Sequence, residues 1–119
     1  MVNSASRLLL IDDDEANRLT LSALLEDEGF LVEGASTVEQ GQQCLFDEPT
    51  YDVVLLDWNL DGTSGSALLA PIRNHHPGAR IIVVTGDKAR LSRVSDVDGV
   101  FQKNDRFEAL LALLPNARR

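Results

Sequence analysis

The sequence predicts an α/β domain in which five parallel strands form one doubly wound sheet, a (βα)5 arrangement. Five apolar segments alternate with stretches of helical periodicity, which is typical of repeated βα units. The third and fourth segments are continuous and rich in β-branched residues, as expected of central strands buried on both faces, whereas the second and fifth indicate edge strands. The segments are residues 8–11, 31–32, 53–56, 81–84 and 100–101.

The first two predicted helices have clear ends. Asp14 is placed to cap the start of the first helix, and Gly29 is placed to end it. The core-facing stripe predicted for this helix consists of Ala16, Leu19, Thr20, Ala23 and Leu24. Ser36 or Thr37 is expected to cap the second helix, which stops before Pro49. The inner stripe predicted for the second helix includes Val38, Leu45 and Phe46.

The remaining helices are shorter or interrupted. The third is expected to begin at Ser64, and Pro71 predicts a kink or an early end because proline lacks a backbone donor. The apolar residues of the third helix are Leu68, Leu69 and Ile72. A fourth helix, within residues 88–95, is short and polar. The last helix has an inner face that consists of Phe107, Leu110, Leu111 and Leu114.

Length, charge and composition limit the possible classes of protein. The 119 residues fit one domain, so we expect a single domain over residues 1–119. A formal net charge of −8 opposes phosphate backbones and anionic lipid, which argues against direct nucleic-acid binding. The apolar runs are far shorter than the ~20 residues that span a bilayer, so we expect no membrane insertion and a cytoplasmic location. His75 and His76 fall in a predicted loop, where we interpret them as a solvated pair.

Polar side chains follow four of the five predicted strands. They are Asp12, Asp13, Asp57, Thr85 and Lys103. The carboxyl ends of the strands of such a sheet share one rim, and two carboxylates ~4 Å apart there repel by about 1 kcal/mol in water and more when buried. Mg²⁺ would compensate this charge, because it binds carboxylate and phosphate oxygens. Asp57 could then act as a nucleophile that forms an acyl phosphate, with Lys103 and Thr85 as partners of the phosphoryl oxygens.

The stretches "LLIDDDEANR" and "DVVLLDWNLDGTSG" resemble the receiver domain of bacterial two-component response regulators, of the type found in chemotaxis regulators. The resemblance covers essentially the whole chain and implies a flavodoxin-like fold. It also implies that Asp57 accepts a phosphoryl group from a histidine kinase or a histidine phosphotransfer protein, and that a downstream protein partner responds. The Mg²⁺ ligands that it implies are Asp12, Asp13, Asp57 and the backbone carbonyl of Asn59. Thr85 would be the switch hydroxyl and Lys103 the ion-pairing lysine.

The sequence departs from the pattern of this family at several positions. Asn104 follows Lys103 where the family usually has a proline after a cis bond, and a non-proline cis bond costs about 2.5–4 kcal/mol, so we expect a trans bond or a strained cis bond. Asp61 replaces another usual proline. Val100 occupies the position of the usual aromatic switch residue, while strand alternation turns Phe101 to the opposite face. The region of the fourth helix is shortened.

These observations favour a phosphoacceptor receiver that is not an enzyme, since it assists only its own phosphorylation and dephosphorylation. By the resemblance, Asn59 and Asp87 tune hydrolysis, and because both are polar we expect a short-lived phosphoryl group. One alternative is a degenerate receiver that acts as a phosphorylation-independent interaction module. Another is a phosphohydrolase of the haloacid-dehalogenase type using Asp12 and Asp14, although it would need a further acidic motif after Lys103.

Overall fold

Five parallel strands form the central sheet. The computed structural model describes residues 6–47, 50–60, 62–86 and 97–115. In chain order the strands are β1 (Arg7–Ile11), β2 (Leu31–Ala35), β3 (Val53–Asp57), the two-residue strands β4 (Asn59–Leu60) and β5 (Thr63–Ser64), β6 (Arg80–Thr85) and β7 (Gly99–Gln102). The sheet order is β2-β1-β3-β6-β7 with parallel neighbours, and β4 and β5 form a separate antiparallel hairpin. The predicted doubly wound fold is confirmed, with β2 and β7 at the edges.

Helices pack on both faces of this sheet. The α-helices of the described ranges are α1 (Glu15–Asp27), α2 (Val38–Asp47), α3 (Leu69–His75) and α4 (Phe107–Leu113), and a 3-10 segment (Gly65–Leu68) precedes α3. Helix α4 corresponds to the helix predicted last, because the one predicted within residues 88–95 lies outside the described residues. None of these helices is long and apolar enough to cross a membrane.

Alternate residues of the central strands enter two separate cores. On β1, Leu9 and Ile11 pack toward α2 and α3, whereas Leu8 and Leu10 pack toward α1 and α4. Every residue of β3 is buried, as expected of a strand covered on both faces. Edge strand β2 contrasts with it, because only Ala35 of its five residues is fully buried.

The inward face of α1 differs from the prediction. Leu21 and Leu25 are its buried residues, whereas the predicted stripe is exposed, with Leu19 at 62% and Leu24 at 40%. Leucines at positions 19, 21, 24 and 25 give the helix two apolar sides, and at 100° per residue positions 19 and 21 are nearly opposite. The side that carries Leu21 also carries Asn17, whose amide bonds Asp12, and this polar contact favours the observed rotation.

Helix α2 was predicted correctly at its ends and wrongly at one inner position. Oγ1 of Thr37 accepts a hydrogen bond from the N–H of Gln40 at 3.0 Å, which caps the helix, and the helix ends at Asp47 before Pro49. Leu45 is buried as predicted, but Phe46 is 65% exposed and contacts the ring of His75 edge-on, with centroids 4.3 Å apart. The two side chains point 100° apart on the helix, and only that of Leu45 faces the core.

The helix does not end early at Pro71, because the α-helical part continues to His75; a change of helix type lies before the proline, between Leu68 and Leu69. Ser64 caps the 3-10 segment by accepting a hydrogen bond from the N–H of Ser66, and the α-helix begins at Leu69. Pro71 therefore lies in the first turn of α3, where its missing N–H breaks no intrahelical bond. Ile72 is buried as predicted.

The interpretation of the two histidines as a solvated pair is wrong for His76. His75 is exposed at the end of α3, but His76 is only 2% exposed. Its Nδ1 accepts a hydrogen bond from the N–H of Tyr51 at 3.1 Å, and its Nε2 donates to the carbonyl of Leu45 at 2.8 Å. These roles require a neutral imidazole with the proton on Nε2. His76 thus joins α3 to the end of α2 and to the segment before β3.

Candidate functional site

Three carboxylates meet at the carboxyl-terminal rim of the sheet. Asp12 and Asp13 follow β1, and Asp57 ends β3; one carboxylate oxygen of each lies within 4.8 Å of the others. Strands β1 and β3 are adjacent, parallel and in register from Leu8–Val53 to Ile11–Leu56, so the next residues, Asp12 and Asp57, must be neighbours. Asp12 and Asp57 are 1% and 2% exposed, whereas Asp13 is open to solvent.

Asp57 accepts two hydrogen bonds at this rim. Its Oδ1 accepts from the N–H of Asn59 at 3.2 Å, and its Oδ2 accepts from Nζ of Lys103 at 3.1 Å. Burial raises the pKa of Asp57, and repulsion by Asp12 acts in the same direction; the bonds from Asn59 and Lys103 lower it, and the net shift is upward. The charged form of Asp57 is therefore only partly compensated by the residues around it.

Lys103 reaches the rim from the end of β7. Its backbone N–H donates to the carbonyl of Thr85 at 2.8 Å, which holds the ends of β6 and β7 together. Burial lowers the pKa of Lys103, but its hydrogen bond and attraction to Asp57 raise it, so the net shift is upward and the amine stays charged. The described residues contain no cis peptide bond, so the bond from Lys103 to Asn104 is trans, one of the two expected outcomes.

Two residues of α1 that the sequence prediction missed hold Asp12 in place. Oδ1 of Asp12 accepts from the N–H of Asp14 at 2.9 Å, and Oδ2 accepts from the side-chain amide of Asn17. The guanidinium of Arg18 donates to the backbone carbonyl of Asp12 at 2.8 Å. The sequence could have indicated Asn17 and Arg18, because both lie in the first turn of a helix that starts at the rim. Residues of that turn lie close to the carboxylates. Asp14 caps α1 as predicted.

Close backbone contact fixes the loop after Asp57. A Cβ atom at Gly65 would lie 2.3 Å from the carbonyl oxygen of Asp57, so only glycine fits there. The N–H of Gly65 donates to the carbonyl of Trp58 at 2.8 Å. Gly62, with φ of 82°, adopts the left-handed conformation in the turn between β4 and β5, and its N–H donates to Oδ1 of Asn59. Asp61 lies outside the described residues.

An open cleft of about 770 Å³ gives access to the acidic cluster. Its lining includes Asp13, Asp57, Trp58, Thr85 and Lys103. The cleft therefore brings the predicted acceptor, hydroxyl and amine to one solvent-accessible place.

The position predicted for the aromatic switch residue lies outside the cleft. Val100 is half-buried on β7, opposite Val83, and does not line the cleft. Phe101 is 5% exposed in the core beneath α1 and α4, as strand alternation predicts. Asp87 lies outside the described residues.

The donor set fits a hard divalent cation. Its oxygens come from carboxylates, its charge is negative, and one face is open to water, which matches how Mg²⁺ is bound in proteins. The amine of Lys103 donates a hydrogen bond to the buried Asp57, and it is equally able to donate one to a phosphoryl oxygen.

Comparison with known proteins identifies the family. The family model named response regulator receiver domain matches residues 8–113 of the sequence. The chain belongs to the response-regulator receiver family. The receiver is similar over 81% of its length, with 35% identity, to the photosynthetic apparatus regulatory protein RegA of Rhodobacter capsulatus, and covers 52% of that protein. It is 36% identical over 70% of its length to the alginate biosynthesis transcriptional regulatory protein AlgB of Pseudomonas aeruginosa, and covers 18% of it.

Solved receiver structures agree in fold. A response regulator of Burkholderia pseudomallei with a phosphorylated aspartic acid, a calcium ion and citrate has a TM-score of 0.83 and 32% identity, over 92% of this receiver and 66% of that chain. TrrA of Thermotoga maritima, in complex with Mg²⁺ and BeF, has a TM-score of 0.78 and 30% identity. The match covers 92% of this receiver and 99% of that chain. The chain is thus a receiver domain of the two-component type.

Proposed function

We propose that Asp57 is the phosphoacceptor of this receiver and that Asp12, Asp13, Asp57 and the backbone carbonyl of Asn59 hold Mg²⁺. The observation that carries the proposal is the cluster itself: a carboxylate only 2% exposed lies within 4.8 Å of two others and accepts a hydrogen bond from Lys103 at 3.1 Å. The relatives with a phosphorylated aspartic acid or with Mg²⁺ and BeF support it.

Phosphorylation would proceed by displacement at phosphorus. A carboxylate oxygen of Asp57 attacks the phosphorus of a phosphohistidine, an O–P bond forms, and the P–N bond breaks. The electron pair of that bond stays on the departing imidazole nitrogen, and Asp57 becomes an acyl phosphate. Bound Mg²⁺ would supply positive charge toward the phosphoryl oxygens. Lys103 would transfer its hydrogen bond from the carboxylate to a phosphoryl oxygen, and Thr85, in the same cleft, would offer its hydroxyl.

Hydrolysis would return the domain to its resting state. The receiver acts on its own acyl phosphate and on no separate substrate, so its catalysis is limited to its own modification. Asn59 is exposed beside Asp57 and can orient water, as expected of a position that tunes hydrolysis, and Asp87 is proposed for the same role. We expect a phosphoryl lifetime well below hours, which decay of the phosphorylated mass would measure.

The partner proposed as phosphodonor is a histidine kinase or a histidine phosphotransfer protein. The exposed stripe of α1, with Leu19 62% exposed, starts next to the cleft and offers an uncharged, mostly apolar surface to such a partner. The chain spans 18–52% of the curated relatives cited above, which are regulators, so DNA binding of a longer protein would belong to another part. For this domain we propose protein partners and no direct nucleic-acid contact.

The proposal is tested by intact-mass measurement after incubation with acetyl phosphate and Mg²⁺. One labile phosphoryl group should be added to the wild type and none to Asp57→Asn. Label retained on Asp57→Asn would overturn the assignment of the acceptor. Leu19→Glu should slow transfer from a phosphohistidine protein and leave labelling by acetyl phosphate unchanged. Phe46→Glu, at an equally exposed apolar residue of α2, is the matched control and should alter neither rate.

A further inference from the structure

Asn17 contacts the acidic cluster although its side chain is neutral. It is the third residue of α1, and its backbone N–H donates to Oδ1 of the capping Asp14 at 3.2 Å. Its side-chain amide donates to Oδ2 of Asp12. Since Oδ1 of Asp12 is bonded by the N–H of Asp14, both carboxylate oxygens of this 1%-exposed residue are held at the start of α1, one by its capping residue and one by its first turn.

We propose that Asn17 is a positioning residue that orients the Asp12 carboxylate for Mg²⁺, a role that rests on the proposed function. Each oxygen of a carboxylate can accept two bonds, so one bond from α1 leaves a lone pair for a cation or for its bound water. A neutral amide orients the carboxylate without cancelling the negative charge that attracts the cation. A lysine or arginine at this position would remove one unit of that charge, and an aspartate would add a fourth carboxylate to the repulsion.

The backbone of Asp12 is fixed independently of Asn17. Its N–H donates to the carbonyl of Ala35 at 3.0 Å, and its carbonyl accepts from Arg18 at 2.8 Å. The stem of Arg18 crosses edge strand β2 at Gly34, where a Cβ atom would lie 3.3 Å from its Cδ. Loss of the Asn17 amide should therefore leave the Asp12 carboxylate held only through Oδ1, by the N–H of Asp14, while the rim keeps its shape.

The expected effect is on metal affinity rather than on the chemistry. Hydrogen-bond partners of metal ligands typically contribute 10-fold to 100-fold to affinity. In Asn17→Leu and in Asn17→Ser, whose hydroxyl is too short to replace the amide, the dissociation constant for Mg²⁺ should rise by about that factor. Phosphate uptake from acetyl phosphate at saturating Mg²⁺ should stay within about twofold of the wild type.

The experiment is a Mg²⁺ titration followed by the fluorescence of Trp58, which lines the cleft and is the only tryptophan in the sequence, and separately by the midpoint of thermal unfolding. Asn74→Leu, at an exposed asparagine of α3, is the matched control and should bind Mg²⁺ like the wild type. The second variant, Asn17→Ser, provides the answer if the bulk of leucine prevents folding.

Each outcome has a distinct meaning. An unchanged dissociation constant in the Asn17 variants overturns the positioning role and leaves the proposed function intact. Loss of phosphate uptake that saturating Mg²⁺ does not restore also overturns that role, because Asn17 would then support the fold or the chemistry instead. A wild-type protein that binds no Mg²⁺ in either titration overturns the proposed function together with the inference.

Discussion

The two ends of the sheet bury polar side chains in opposite ways. At the amino-terminal end, His76 is 2% exposed, and both of its ring nitrogens are bonded, to the N–H of Tyr51 and the carbonyl of Leu45. At the carboxyl-terminal end, Asp57 is equally buried, but two further carboxylates lie within 4.8 Å and burial raises its pKa. The histidine is matched to its surroundings, whereas the aspartate is held in a surplus of negative charge.

This difference separates stability from function. A buried polar group with all its bonds made contributes to the fold, because breaking them would leave donors and acceptors unpaired. A buried carboxylate beside like charges destabilises the metal-free fold and favours the binding of a cation. The amino-terminal end is therefore expected to determine how stable the receiver is, and the carboxyl-terminal end to determine what it binds.

The largest effect on stability is expected from His76→Leu. The substitution leaves the N–H of Tyr51 and the carbonyl of Leu45 without the ring nitrogens that bond them, so the free energy of unfolding should fall by about 2–4 kcal/mol. Urea unfolding measures this loss. The control His75→Leu, at an exposed neighbour, should change stability by only about 0.5 kcal/mol. Equal effects of the two variants would show that the buried hydrogen bonds do not stabilise this end.

A smaller loss is expected from Lys103→Met. It removes the cation bonded to Asp57, but the lysine side chain is 37% exposed, so water screens part of the interaction. In the presence of a chelator at neutral pH, the free energy of unfolding should fall by about 1–2 kcal/mol. The control is Arg106→Met, which breaks an exposed ion pair with Glu108 at 3.6 Å and should cost less than about 0.5 kcal/mol. A more stable Lys103→Met protein would contradict the pairing.

The smallest effect, and one of opposite sign, is expected from Asp57→Asn. Without metal it should stabilise the protein by about 1 kcal/mol at neutral pH, because it removes one charge from a crowded cluster. The pKa of Asp57 is higher in the folded chain than its ordinary value of about 3.9, so the folded state binds the proton more tightly. The free energy of unfolding of the wild type therefore falls as the pH rises through the window between the unfolded and folded pKa values of Asp57. Across the same window, the stability of Asp57→Asn relative to the wild type increases.

A pH series of urea unfolding in the presence of chelator checks this trend. The difference between Asp57→Asn and wild type should be smallest near pH 3 and should rise to a plateau above the folded pKa. Asp105→Asn, at an exposed aspartate after β7, provides the comparison for removal of a charge outside the cluster. An advantage of asparagine that shrinks as the pH rises would mean that the fold stabilises the charged form of Asp57.

The strands and the acidic rim could be predicted because their causes are local. Apolar runs of β-branched residues identify β3 and β6, and the polar residue that follows a parallel strand must lie at the rim. Asp12, Asp57 and Lys103 were found in this way, and the structure brings them together. The trans bond after Lys103 agrees with one of the two outcomes expected from the cost of a non-proline cis bond.

Other features depend on contacts between distant parts of the chain. The rotation of α1 could not be decided from leucines on two of its sides, because it depends on the contact of Asn17 with Asp12 and on the packing of Leu21 and Leu25 in the core. The burial of His76 depends on a carbonyl 31 residues earlier and on an N–H 25 residues earlier. No sequence motif indicated the role of Asn17, because that role follows from its contact with Asp12 in the folded chain.

The most direct test is the Mg²⁺ dependence of the unfolding free energy, measured side by side for wild type and Asp57→Asn. If the carboxylates hold the cation, the wild type should be the less stable protein in chelator and should gain about 2.7 kcal/mol when Mg²⁺ reaches about 100 times its dissociation constant. Asp57→Asn, which lacks one charged ligand, should gain much less, so that the order of stability reverses. Equal gains for both proteins, or no gain for the wild type, would contradict a metal site built on Asp57.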